Sequence, residues 1–200
     1  MIDILLANTL VGSALAPNSS AATSSVCVVD AATILQLTPD EFDQSSTTGW
    51  RPISAKPGCR EAAADLIEEY RRSNWNKLLP HELHINYWHE GQLRAFEGQT
   101  DRAIPLLLAG INPDSIDGFP HYAMATVAFL QEDLVALRAA RGRLAALPEP
   151  TWFIEAKDKG QIRHDARWPP NLDVVDGLIM CFGNSYSVAY SDSSCRPSGS

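Results

Sequence analysis

Two stretches of the chain resemble each other at a constant spacing of about 33 residues. The matching pairs are Ala95-Phe96 with Ala128-Phe129, Ala103-Ile104 with Ala136-Leu137, and Ile111 with Leu144. A repeat near this length is typical of two-helix hairpins that stack on one another, because a single hairpin cannot bury its apolar face alone. The repeat therefore predicts an all-α protein of antiparallel helical hairpins, an architecture that binds other molecules more often than it catalyses reactions.

Length and composition place the chain among ordinary globular domains. Its 200 residues suit one domain, and 45% hydrophobic with 20% charged residues argue against a disordered chain. The net charge of −8 argues against a general affinity for nucleic acid or anionic membranes, because phosphate contacts require clustered Lys and Arg. We therefore expect a protein or peptide partner and no nucleic acid, while the oligomeric state stays open.

The first 22 residues resemble a secretory signal peptide. Residues 4–16 are mostly apolar, and Ala14-Leu15-Ala16 resembles a cleavage site, although Asp3 stands where a basic residue is usual. The apolar run is too short to span a bilayer as a helix. We therefore expect residues 1–22 to be a signal peptide or a disordered tail, and residues 23–200 to form a single helical domain.

Four cysteines favour an oxidising compartment. Cys27 and Cys59 lie on either side of an N-terminal segment, and Cys181 and Cys195 on either side of a C-terminal one. An even number in this arrangement predicts two disulfides that clamp the ends, although a nested pairing of Cys27 with Cys195 and Cys59 with Cys181 is also possible. We expect a periplasmic or secreted protein, with four reduced cysteines in a cytoplasmic one as the alternative.

Apolar periodicity and capping signals predict the order of the helices. Thr38-Pro39-Asp40-Glu41 has the features of a capping box with proline at the first helical position. Longer helices are predicted over residues 60–74, 80–97, 103–111, 121–131, 134–147 and 171–182. Residues 50–58 are predicted to form a loop, residues 151–170 an irregular segment, and residues 171–196 a C-terminal helix with its clamp.

Residues 87–98 carry the pattern of a known repeat family. Tyr87 precedes the small residue Gly91 by four positions, Gly98 follows where a turn is needed, and Ala103 begins the next helix. This pattern resembles the tetratricopeptide repeat (TPR). The likeness covers about residues 82–147.

The resemblance to TPR proteins implies a fold and a binding mode. It implies a fragment of an α-α superhelix in which Gly91 and Ala103 allow the two helices of a hairpin to approach closely. It also implies a groove between helices 81–97 and 121–131 that binds a protein or peptide. Arg94 stands where the family prefers an aromatic residue, so its charge needs a partner or water, which the edge of a groove would supply.

Further basic residues are candidates for partner binding. Arg138 and Arg141 lie three positions apart on one predicted helix, where they could receive an acidic peptide or form exposed ion pairs. The segment 157–168 alternates basic and acidic residues and ends on an aromatic one, which is typical of a recognition loop or a connecting strap. Arg163 and Trp168 are its candidate contact residues.

Histidines cluster at residues 81–90 beside two glutamates. On a helix, His81, His84 and His89 spread over roughly 140°, which is too wide for one metal ion. Asn86 and His89 share a face with Glu82 and are predicted to line the groove. No nucleotide-binding motif occurs, so we expect no cofactor, no metal site and no catalytic residues.

Two alternatives to the binding function stay open. A periplasmic metal-dependent hydrolase would use the His/Glu cluster at 81–90, through Glu82 and His89 and with His164 as a further member. A structural subunit of a larger envelope complex would be unstable when purified alone.

Overall fold

A computed structural model describes residue 27, residues 29–113, residue 115 and residues 117–196. Over these residues the chain is helical and contains no strand, which confirms the predicted all-α class. The predicted signal peptide at residues 1–22 lies outside the described residues. The helices are α1 (Ala31–Ile34), α2 (Pro39–Asp43), α3 (Arg51–Ser54), α4 (Arg60–Ser73), α5 (Pro80–Phe96), α6 (Thr100–Ala109), α7 (Phe119–Leu130), α8 (Leu134–Ala145), α9 (Thr151–Asp158), α10 (Leu172–Met180) and α11 (Tyr186–Ser191), followed by a 3-10 turn at Ser193–Cys195.

Local sequence signals explain where the helices of the site begin. The Thr38 hydroxyl accepts a hydrogen bond from the Glu41 backbone N–H, and the Glu41 carboxylate accepts one from the Thr38 backbone, so the predicted capping box starts α2. At α5, Pro80 occupies the first turn and the Glu82 carboxylate accepts a hydrogen bond of 2.7 Å from the Leu79 N–H. Both helices therefore begin with their free N–H groups partly satisfied.

Four helices lie outside the predicted set. The short helix α1 precedes the predicted capping box. Helix α3 occupies part of the predicted loop 50–58, α11 follows the last predicted helix, and α9 replaces the first half of the predicted irregular segment 151–170. Prolines around residues 148–150 indicated a break, but a proline can also precede a helix start. Phe153 on α9 is buried, and its ring lies 5.3 Å from that of Trp168. Tertiary packing therefore stabilises α9.

Helix α5 lies between two hydrophobic cores. On one side, α5 packs against α4 and contributes Leu93 to a core that includes Phe42 of α2 and Ile67 of α4. On the other side, Trp88 joins a larger core built from α6, α7, α8, α10 and α11. One face of α5 therefore completes the N-terminal core, and its opposite face completes the larger core.

The two hairpins α5–α6 and α7–α8 are closely packed. Helix α5 contacts α6 and α7 contacts α8 along their lengths. A Cβ atom at Gly91 would lie 2.8 Å from Leu107 Cγ, so only glycine permits this approach, as the sequence predicts. Ala103 on α6 is also completely buried.

The C-terminal segment fills one end of the space between α5 and α7. Helix α10 packs against α7 and α8, and α11 packs against α5. The rings of Tyr186 and Tyr190 each lie 5.1 Å from that of Phe96, and Tyr186 also contacts Phe129. The groove expected between helices 81–97 and 121–131 is therefore occupied at this end by the chain itself.

The four cysteines form two disulfides near the ends of the described chain. Cys27 pairs with Cys59 and Cys181 pairs with Cys195. The end-clamp pairing is confirmed, and the nested alternative is wrong because each short loop already brings its two cysteines together. None of the described helices has the length and apolar character needed to cross a membrane.

Candidate binding cleft along helix α5

A polar stripe runs along the buried side of α5. Glu82, Asn86, Glu90 and Arg94 follow one another at intervals of four residues, so they share one helix face. The last three are buried, with exposed fractions of 0% for Asn86, 1% for Glu90 and 0% for Arg94. Buried polar groups need partners, and those partners determine how α5 packs against the N-terminal helices.

Arg94 finds its partners inside the protein. Its Nη2 lies 2.7 Å from Asp65 Oδ1 of α4 and 3.4 Å from Glu68 Oε2 of the same helix. It also lies 3.5 Å from Glu90 Oε1, one turn earlier on α5. Because the side chain is fully buried and its charge is compensated, the prediction that Arg94 contacts a partner at a groove edge is wrong.

Glu90 is held between two guanidinium groups. Arg71 of α4 donates to Glu90 Oε2, while Arg94 approaches the other carboxylate oxygen. The Arg71 guanidinium also lies over the Tyr87 ring, 4.0 Å from its centroid. Burial raises the pKa of Glu90, and the two arginines oppose that rise. This buried charge cluster joins α4 to α5.

Asn86 retains an unused acceptor. Its Nδ2 donates a hydrogen bond of 2.7 Å to the backbone oxygen of Glu82, which fixes the orientation of the amide. Its Oδ1 has no hydrogen-bond partner among the described residues, although the side chain is fully buried. Leaving such a group unpaired is costly, so Asn86 is a position of unfavourable polar burial within α5.

His89 is anchored to α2 by Asp43. Its Nδ1 lies 2.7 Å from Asp43 Oδ1, which also accepts a hydrogen bond of 2.9 Å from Trp50 Nε1. The other oxygen of Asp43 faces Gln44 and, at 3.9 Å, Arg51. Burial would raise the pKa of Asp43, but His89, Trp50 and Arg51 together hold that pKa below its ordinary value of 3.8.

Two adjoining cavities open along the N-terminal half of α5, and we call them together the α5 cleft. The first has a volume of about 140 Å³ and lies between α2 and α5. The second has a volume of about 190 Å³ and lies between α5 and the segment that leads into α7. His81 and Ile85 line both cavities. The first is completed by Pro39, Asp40, Asp43, Gln44, Glu82 and Asn86, and the second by His84, Gly110, Asn112, Asp117 and Phe119.

The structure brings together only some of the predicted site residues. Asn86 lines the α5 cleft, and His89 lies behind it through Asp43. Arg141 forms a two-point ion pair with Asp176 of α10, with distances of 2.8 and 3.2 Å. Arg138, on the same helix as Arg141, is exposed and forms no ion pair with a described residue.

The predicted recognition loop is engaged with its own neighbours. Arg163 forms a two-point ion pair with Asp165, at 2.9 and 2.6 Å. The Trp168 indole donates a hydrogen bond of 3.1 Å to the backbone oxygen of Leu147. The Trp168 contact secures the segment after α9 to the residues that follow α8, and the two contacts together favour the connecting strap over the recognition loop.

The residues of the hydrolase alternative lie apart. Glu82 and His89 are seven positions apart on α5, which separates them by about 10 Å along the axis. Glu82 caps the helix and His89 binds Asp43, while His164 lies exposed in the segment after α9. Among the residues that the structure describes, no group of three or more His, Cys, Asp or Glu side chains is placed to hold a metal ion.

The contribution of α2 to the cleft is the feature that the sequence did not reveal. The capping box predicted α2, but nothing in the sequence placed it against α5. The contact depends on Phe42, whose ring stacks on Tyr70 of α4 at 3.6 Å, and on the pair between Asp43 and His89. Phe42 and Asp43 both become buried at the end of this short helix, which the local sequence does not indicate.

Comparisons of the chain with protein-family models, with curated proteins and with solved structures found no match.

Proposed function

We propose that the protein is an exported helical module that binds a peptide segment of a partner protein in the α5 cleft. The observation that carries this proposal is the pair of adjoining cavities that share His81 and Ile85. Together they form a depression with apolar and polar walls on a rigid helix. Clefts with this mixture accept side chains of a bound segment one after another.

The two disulfides support export. Cys27–Cys59 and Cys181–Cys195 leave no described cysteine free. Disulfides of this kind persist in the periplasm or outside the cell and are rare in reducing compartments. The two packed hairpins α5–α6 and α7–α8 support a second part of the proposal, which is that residues 82–147 are TPR-like.

The arrangement around His89 favours binding over hydrolysis. An Asp–His pair can orient a catalytic imidazole, but Asp43 also accepts from Trp50 and faces Arg51. The Trp50 ring lies 5.1 Å from the His89 ring. Through these contacts the Asp43–His89 pair holds α2 and α3 against α5, which gives the cleft a rigid wall.

Selection from a random peptide display library tests the proposal on the oxidised full-length chain. His81 is exposed and lines both cavities, so a tryptophan at this position would fill the cleft. The His81→Trp variant should therefore no longer bind the selected peptides. Arg138→Trp introduces the same side chain on α8, away from the cleft, and should retain them. Thermal melting of both variants establishes that each remains folded.

Two outcomes would contradict the proposal. Loss of the peptides with Arg138→Trp and retention with His81→Trp would assign binding to the α8 face. Failure to select any peptide with a correctly oxidised protein would remove the support for a peptide-binding function.

A further inference from the structure

We infer that a cavity at the C-terminal end of α5 binds the quaternary ammonium group of a small organic cation. This aromatic cavity is separate from the α5 cleft, because Ala95 on its wall lies ten residues beyond Ile85, which is about 15 Å along the helix axis. The inference goes beyond the proposed peptide site and does not depend on it. It is carried by four aromatic rings, by one unpaired carboxylate and by the volume of the cavity.

The aromatic cavity lies where the C-terminal segment meets the turns of the two hairpins. Its volume is about 190 Å³, and four of its lining residues are aromatic, namely Phe96, Phe129, Phe182 and Tyr186. The Phe129 ring is inclined by 88° to that of Phe182 and by 57° to that of Tyr186. The rings of Tyr186 and Phe96 are inclined by 59°. None of these pairs is stacked face to face, so ring faces with their negative potential remain available to a ligand.

The charge of the lining is negative. Glu132 is the one charged residue among the described residues that line the cavity, and its exposed side chain forms no hydrogen bond or ion pair with a described residue. Arg60 lies 5.0 Å from the centre of the Phe96 ring, but it does not line the cavity and it pairs with Glu97 at 3.7 Å. The C-terminal ends of α5, α7 and α10 and the N-terminal ends of α6, α8 and α11 meet around the cavity, so their dipoles largely offset one another. The carboxylate and the rings therefore select a cation.

Glu132 occupies a backbone position that favours glycine. It is the second residue after α7, as Gly98 is the second residue after α5, and the two turns share the same pattern of backbone hydrogen bonds. The φ angle is 72° at Gly98 and 57° at Glu132, in the left-handed region where a side chain is disfavoured. The fold alone would favour glycine in both turns. A cationic ligand explains why a carboxylate stands beside the rings in the second one.

A quaternary ammonium group matches these walls better than a primary one. Its charge is surrounded by methyl groups, so it can contact ring faces and a carboxylate without hydrogen bonds. A primary ammonium carries three donors that need acceptors, and the phenylalanine walls supply none. At ~30 Å³ for each water-sized group, the cavity of about 190 Å³ holds roughly six heavy atoms, the size of a trimethylammonium group with two methylene groups.

Choline and its neutral isostere 3,3-dimethylbutanol test the inference, because a carbon replaces the charged nitrogen and the shape is kept. Chemical-shift changes in the full-length oxidised protein measure the binding of each. Choline should shift the backbone amides of residues 95–100, 129–132 and 182–186, and it should bind at least about tenfold more tightly than the isostere. Equal affinities, or no shift with choline, would overturn the inference.

Substitutions of Glu132 separate the charge from the stability of the fold. Glu132→Gly removes the carboxylate and relieves the left-handed backbone, so it should weaken choline by about fivefold while the melting temperature stays the same or rises. Glu132→Gln keeps the size of the side chain and should weaken choline to the same extent. Glu149→Gln removes an exposed carboxylate beyond the other end of α8 and should leave the affinity unchanged. Equal weakening by Glu132→Gln and Glu149→Gln would show a general charge effect and reject the site.

Substitution of Phe182 tests the contribution of the rings. Phe182→Leu keeps an apolar side chain but removes the π face, so it should weaken choline by about fivefold and change the affinity for 3,3-dimethylbutanol by less than about twofold. The ratio of the two affinities distinguishes the loss of the ring from a change in the shape of the cavity. An unchanged ratio would mean that the rings only pack against one another, and the cationic ligand would be rejected.

Discussion

Arg94 connects α5 to α4 through charge rather than through apolar packing. Its guanidinium reaches Asp65 and Glu68 across the interface and Glu90 on its own helix. Asp65 and Glu68 are exposed at their end of the cluster, whereas Glu90 is buried. Removing Arg94 leaves the buried carboxylate with one positive partner fewer, which costs more free energy than the pair contributes. The cluster therefore fixes the relative position of the two helices that support the α5 cleft.

We expect Arg94→Met to lower the free energy of unfolding by about 3–5 kcal/mol, because Glu90 would keep only Arg71 as a buried partner. Arg72→Met on α4 removes an exposed arginine that pairs with Glu69, and it should cost about 0–1 kcal/mol. Urea unfolding followed by circular dichroism measures both. Equal effects of the two substitutions would mean that the buried cluster contributes no more than a surface pair.

Asp43 predicts a specific dependence of stability on pH. Its pKa in the folded chain lies below the ordinary value of 3.8, so the ionised carboxylate stabilises the fold above that pH. The contribution is lost as the pH falls through the folded pKa. Asp43→Asn should therefore lower the free energy of unfolding by about 1–3 kcal/mol at neutral pH.

The same substitution should matter less in acid. Denaturant unfolding of the native chain and of Asp43→Asn at a series of pH values should show a difference that is constant at neutral pH and narrows below 3.8. A difference that is independent of pH throughout would contradict the role given to the charge of Asp43.

At the scale of the helices, the sequence specified the elements with strong local signals. Thr38 and Glu41 marked the start of α2, Gly91 marked the close contact with α6, and the apolar periods of α4 and α5 gave their extents. It did not specify α9, whose stability comes from packing of Phe153 against Trp168 in a segment bounded by prolines. Contacts between distant residues carry no local signal.

The same limit explains which site residues were predicted. Asn86 and His89 were found because helical spacing places them on one face of α5. Arg94 is an unusual residue for its position in the repeat pattern, but its partners on α4 depend on how two helices dock. No sequence pattern identifies Asp43, since its pairing with His89 joins residues far apart in the chain.

Two glycines offer a matched test of helix packing. A Cβ atom at Gly91 would lie 2.8 Å from Leu107 Cγ and 3.0 Å from its backbone nitrogen, so Gly91→Ala should lower the free energy of unfolding by about 1–3 kcal/mol. Gly142 lies within α8 and has open space around it, so Gly142→Ala should raise stability by about 0.5–1 kcal/mol. Thermal unfolding of both variants should give shifts of opposite sign. A rise in stability with Gly91→Ala would contradict the close contact.

At the scale of the molecule, two cores share α5 and a disulfide lies near each end. The Cys27–Cys59 bridge belongs to the core of α2, α3 and α4, and the Cys181–Cys195 bridge holds α10 near the turn after α11. Each bridge limits the freedom of the unfolded chain. The fold therefore combines packing around α5 with covalent constraints at both ends.

Removal of the second bridge should have a measurable effect. Cys181→Ala with Cys195→Ala should lower the free energy of unfolding by about 3 kcal/mol, because the short loop between them would gain freedom in the unfolded state. Guanidinium unfolding with and without a reductant measures the effect. Reductant should then destabilise the double variant less than the native chain, since one bridge remains. Equal losses would show that the second bridge does not constrain the fold.

The packing of α4 on α5 and of α10 on α7 and α8 has a consequence for self-association. Stacked hairpins have apolar sides that would otherwise accept another hairpin, and solenoids lengthen until a polar terminal helix stops them. Here α10 packs against α8, and Leu137 and Leu144 of α8 are completely buried in the core that the two helices share. A chain without α10 would present that surface to its neighbours, and end-to-end polymerisation into fibres is the expected result.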